Sequence, residues 1–159
     1  MVRRAYRGLV LPVLIVALGG FLHAQIGKKI TIRVVDGRTG EAIQPSNVQV
    51  SLDRRESSQN EWVRQNDDGT ADLTVPAGTA EISVHATYDN STEYYINCDS
   101  AKLKNTSIPH WYAVSEILTA GVVTPNGCAK PKDVEKLKLD PKPGEFVLFV
   151  RKRNWREQN

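Results

Sequence analysis

Ile30-Thr31-Ile32-Arg33-Val34-Val35-Asp36-Gly37-Arg38-Thr39-Gly40 is the stretch that decides the fold. Ile30, Ile32 and Val34 fall on one side and Thr31, Arg33 and Val35 on the other, the period of two that marks a half-buried β-strand rather than a helix. Asp36-Gly37 ends the strand and Thr39-Gly40 completes the turn, because Asp and Gly accept the backbone angles a turn needs.

The same pattern runs downstream. Val48, Val50 and Leu52 alternate with Asn47, Gln49 and Ser51, followed by a polar loop from Arg54 to Gln59. Trp62 is expected to anchor a third strand. Asp68-Gly69 lies between Glu61–Asn66 and Thr70–Val75 and reads as a hairpin turn. Pro76-Ala77-Gly78 turns the chain into Ala80–Tyr88, with Ile82, Val84 and Ala86 inward and His85 on the solvated side. Asp89 to Pro109 is a long polar segment carrying Cys98. Trp111–Val114 resumes a strand, and Ser115–Gly121 reads either as more strand or as a short helix with Ser115 as N-cap. Leu137 and Leu139 suit a short strand, and Phe146–Val150 is apolar throughout, as in a central strand buried on both faces. Six or seven short strands separated by turn residues predict an all-β, antiparallel sandwich. The expected core is Ile30, Ile32, Val34, Val48, Val50, Leu73, Val75, Ile82, Val84, Phe146 and Leu148.

Upstream, Met1–Ala24 has the three parts of a secretory signal peptide: Arg3, Arg4 and Arg7, an apolar run from Leu9 to Leu22, and Ala24 at the expected cut. The run would cover only about 21 Å as a helix, short of a ~30 Å hydrocarbon core, so cleavage is favoured over an anchor. The organisation predicted is a signal peptide over 1–24, one domain over 25–152 and a basic tail over 153–159. The chain of 159 residues is 40% hydrophobic and 25% charged, as expected of one globular domain. Its formal net charge of +3 comes from the leader: without those three arginines, 18 basic residues face 18 acidic ones. A nucleic-acid partner is not expected, nor a membrane span once the leader is cut. The expected location is periplasmic or secreted.

The motifs from Ile30 to Gly40, Asn47-Val48-Gln49-Val50-Ser51, Asp67–Leu73, Val75–Gly78 and Ile82–Val84 together resemble the carboxypeptidase regulatory-like domain. That family reads as a strand, a D-x-x-T-G turn, an apolar pair of strands, a D-x-x-G hairpin and a P-x-G turn. The match covers Lys28 to Ala86. The resemblance implies a seven-stranded prealbumin-like sandwich, related in shape to Ig-like domains and usually accessory to other activities. It transfers no catalytic or binding residue.

Chemistry-bearing residues are sparse. After the leader, His85 and His110 remain with two cysteines and no metal-ligand spacing, so no metal or other cofactor is expected. Asp36, Asp67, Asp68 and Asp72 lie in or near turns without the grouping of a calcium loop. In an exported chain, Cys98 and Cys128 pair as a disulfide, contributing roughly 3–4 kcal/mol in the chain-entropy model and pinning the long loop. Tyr94, Tyr95, Trp111 and Tyr112, near Tyr88, form either a candidate binding surface or a cover for the end of the core. Asn90-Ser91-Thr92 and Asn105-Thr106-Ser107 fit the N-glycosylation pattern of exposed loops, and in the basic tail the cationic residues are expected to be solvated and Trp155 to pack back on the sheet.

The leading expectation is an exported, non-catalytic module with an interaction or structural role at the cell envelope, its partner a protein or a glycan. A carbohydrate-binding module is the nearest alternative. A small transthyretin-like hydrolase would require His, Arg and Ser side chains to converge, with His85 and His110 as seeds.

Overall fold

A computed structural model describes residues 27–43, 47–54, 60–87, 95–99 and 109–153. The predicted signal peptide, Tyr88, Tyr94, both glycosylation motifs and tail residues 154–159 lie outside them. The described chain is mostly β. Its elements are β1 (Lys28–Asp36), β2 (Asn47–Leu52), β3 (Glu61–Arg64), β4 (Thr70–Val75), β5 (Glu81–Thr87), β6 (Tyr95–Asn97), β7 (Tyr112–Ala113), α1 (Val114–Thr119), β8 (Val122–Val123) and β9 (Glu145–Lys152).

These strands form two sheets. One runs β4-β1-β9-β6, with β8 beside the start of β9; the other runs β3-β2-β5-β7. The expected count of seven antiparallel strands is corrected on both points: nine strands are described, and the first sheet is mixed. β1 and β9 run parallel, Ile32 opposite Phe146 and Val34 opposite Leu148, and β8 also runs parallel to β9. A parallel neighbour requires a crossover between the strands, and here the rest of the sandwich intervenes between β1 and β9.

All eleven expected core residues are buried between the sheets. Alternation explains why: in β1, β2 and β4 every second side chain points to the facing sheet. β9 departs from alternation because both its faces are covered. Phe146, Leu148 and Val150 enter the main core, while Val147 and Phe149 join Val35 and Cys98 in a second apolar layer on the outer side of that sheet. Val123, Cys128 and Leu139 pack on this layer from outside.

Four local expectations change. Asp67–Gly69 does not close a hairpin. Asn66 N–H donates to Thr70 O at 2.7 Å and Gly69 N–H to Asn66 O, but β3 pairs with β2 and β4 pairs with β1, so the turn carries the chain between sheets. Trp62 is not an anchor: Val63 packs toward the core, and Trp62 is 61% exposed on the opposite face. Leu137 belongs to a 3-10 turn over Glu135–Leu137 rather than to a strand, and Leu139 rests on the outer layer. Helix α1 forms, but Ala113 occupies the N-cap without a side-chain bond. Its far end closes on Gly121, whose N–H donates to Glu116 O and Ile117 O at 3.1 Å. Gly121 has φ +81°, and a Cβ there would strike the backbone of Lys142, so both conformation and space require glycine.

Candidate functional site

Two constructions outside the main core carry the chemically capable side chains. The first is the disulfide. Cys98 and Cys128 are bonded, as the sequence predicts for an exported chain. Cys98 follows β6 and its N–H donates to Phe149 O at 2.8 Å, while Gly127 N–H donates to Cys98 O. Asn126 completes the join. Its Nδ2 donates to Gly37 O at 2.9 Å, and its Oδ1 accepts from the N–H groups of Cys128 and Ala129. Gly37 lies directly beneath: a Cβ there would fall 2.7 Å from Cys98 Sγ and 2.5 Å from Asn126 Oδ1. The bond therefore links the β1 turn, the end of β6 and the segment after β8. Beside it, Val123, Thr124, Asn126, Val134, Leu137 and Phe149 line part of a cleft of 380 Å³.

The second construction gathers beside β5, where β7 pairs only with Glu81 and Ile82. Asn97 reaches across from β6 and donates from Nδ2 to Val84 O at 2.8 Å. A carbonyl accepts only, so this bond fixes the orientation of the Asn97 amide. The same nitrogen faces His85 Nδ1 at 3.5 Å, and Ser83 Oγ lies 3.4 Å from His85 Nε2. Asn97 thus lies against one ring nitrogen of His85 and Ser83 against the other, both at distances longer than an ordinary hydrogen bond. His85 is half-buried rather than solvated, which corrects the expectation for an outward strand residue. Burial holds its pKa below the ordinary value; Asp99 opposes that shift and His110 adds to it.

Asp99 organises the rest. Its carboxylate is 2% exposed, lies 3.7 Å from His110 Nδ1 and accepts from the Tyr112 hydroxyl at 2.8 Å. Burial, the Asp99 charge and that hydrogen bond all push the Tyr112 phenol well above its ordinary pKa. Its ring meets Phe146 edge-on at 5.0 Å.

The aromatic candidates do not share one environment. Tyr95 lies on β6 of the mixed sheet and packs against the core, as does Tyr112 on β7 of the other sheet. Trp111 lies beneath the Arg54 guanidinium, 5.7 Å from its ring centre, and Arg54 is itself held by Glu81 at 2.6 Å. Tyr94 is outside the described residues. The acidic residues weighed for calcium are occupied in turns and pairs: Asp36 accepts from the N–H groups of Arg38 and Thr39, Asp68 from Thr70, and Asp72 pairs with Lys29 at 3.0 Å. Among the described residues no group of three His, Cys, Asp or Glu side chains is placed to hold a metal ion. Within the same residues no helix is long and apolar enough to cross a membrane.

Sequence reasoning singled out both histidines but missed Ser83, Asn97 and Asp99. Only the position of Asp99 beside Cys98 hinted that an acid would be drawn inward. Comparisons with protein-family models, curated proteins and solved structures find no match.

Proposed function

We propose that this chain is an exported, non-catalytic β-sandwich module with an interaction or structural role at the cell envelope, built on a prealbumin-like, carboxypeptidase regulatory-like plan. The strand order, with β4-β1-β9 facing β3-β2-β5-β7, supports the sandwich part of that reading. So does the Asp36 turn, whose carboxylate bonds two successive N–H groups as a D-x-x-T-G turn requires. The disulfide supports export, since such bonds persist in oxidising compartments.

The observation that carries the non-catalytic reading is the use made of the polar cluster. Ser83 is 1% exposed, which closes its hydroxyl to a substrate, and its Oγ stands 3.4 Å from His85 Nε2, longer than the hydrogen bond between a nucleophilic serine and its base. The buried Asp99 accepts from Tyr112 and does not orient His85 as the third member of a triad would. These contacts hold β5, β6 and β7 together.

The test is to assay purified mature protein for peptidase, esterase and purine-derivative hydrolysis, and to sequence the N-terminus of exported protein. No turnover and a chain beginning at Gln25 are expected. Turnover that disappears in His85→Ala or His110→Ala would overturn the reading, as would exported protein that begins at Met1.

A further inference from the structure

The outer face of the β3-β2 half of the second sheet presents an aromatic ring and a cation on a polar ground. Gln49 pairs with Trp62 on one side and with His85 on the other, so these three side chains share a face. Asn47 and Arg64 pair one step along, and their side chains share it too. The face is closed at its β5 end, where Ser83 is buried, and open at β3, where Trp62 and Arg64 are exposed. Two residues apart on one strand, Trp62 and Arg64 stand about 7 Å apart along the surface. Arg64 has no hydrogen-bond or ion-pair partner among the described residues, unlike Arg33 and Arg54, which are held by Glu145 and Glu81.

We propose that this face binds a glycan carrying carboxylate groups, with Trp62 stacking on the C–H face of one sugar ring and Arg64 pairing with a uronate carboxylate. The match is chemical. A pyranose offers one apolar face rimmed by hydroxyls, and this surface offers one flat ring surrounded by the Asn47 and Gln49 amides and by Asn60, which accepts from Ser51. Large contiguous apolar patches mark protein-docking surfaces, and here a single ring stands on polar ground. Trp62 supplies the only large exposed hydrophobic side chain on this face, the other described one being Val134, which lines the cleft on the mixed sheet. Arg64 selects the acidic members of the class, since its planar fork fits a carboxylate with two charge-assisted hydrogen bonds. The proposal rests on the binding-module reading and places the ligand surface away from Tyr95, Trp111 and Tyr112.

The test titrates the purified mature protein with oligogalacturonate and with the uncharged oligogalactose, following tryptophan fluorescence and heat. Oligogalacturonate is expected to bind more tightly than oligogalactose, and less tightly as salt rises. Trp62→Ala should weaken binding about tenfold or more. Arg64→Gln should bring the two ligands to equal affinity, and both variants should melt with the wild type because both side chains are exposed. No binding of oligogalacturonate by the wild type would overturn the proposal, as would binding unchanged in Trp62→Ala. Binding lost instead in Trp111→Ala would also overturn it while leaving the binding-module reading standing. Cleavage of the oligosaccharide would overturn that reading itself.

Discussion

His85 occupies an outward position on β5 and is nevertheless enclosed, because Asn97 comes over from the other sheet and Ser83 is sealed beside it. Burial disfavours its charged form, so the folded chain binds that proton less readily than the unfolded chain. The sign follows from linkage: the contribution is fully present above the unfolded value of about 6.5 and declines as pH falls through it toward the lower folded value. Wild-type protein should therefore lose stability on acidification below about pH 6.5, and His85→Gln should show a shallower loss over the same window. Denaturant midpoints between pH 5 and pH 7.5, a window spanning that ordinary value, would check this, and parallel curves would refute it. Alternation placed His85 on the correct face. It could not show that a residue from another sheet closes over that face, because the contact joins parts of the chain that share no local pattern.

At the scale of elements, β9 is the least ordinary strand and the one whose sequence spoke most directly. An unbroken run from Phe146 to Val150 has no polar side, and the fold supplies apolar cover to both faces. Phe146→Ala and Phe149→Ala should each cost about 3–5 kcal/mol, since both rings are buried. Chemical denaturation would measure this, and a cost below about 1 kcal/mol at Phe149 would show that the outer layer is not a true core. The turn at Asp67–Gly69 makes the opposite point. Its residues form a turn as read, but whether the two flanking strands pair with each other or with β2 and β1 depends on sheet partners elsewhere in the chain. Trp62 faces outward for a related reason: a large aromatic on a four-residue strand suits either face, and Val63 takes the inner one.

For the molecule as a whole, the disulfide fastens the outer layer to the sandwich rather than only tethering a loop. It joins the end of β6 to the segment that covers Val147 and Phe149, directly above Gly37. Replacing both cysteines with alanine should cost about 2–5 kcal/mol. Hydrogen exchange should accelerate over residues 124–139 first, while the amides of β2 and β5 stay protected; uniform acceleration would refute the local role. The β class, the turn positions, the eleven core residues and the cysteine pair are legible in the sequence, because alternation, turn chemistry and an even cysteine count are local or compositional properties. The fold, not the local pattern, sets β9 parallel to β1, draws Asp99 inside beside Tyr112 and His110, and leaves open the face that carries Trp62 and Arg64. Each depends on which distant segments meet, and side-chain period tells a strand which face is apolar without telling it which strand lies alongside.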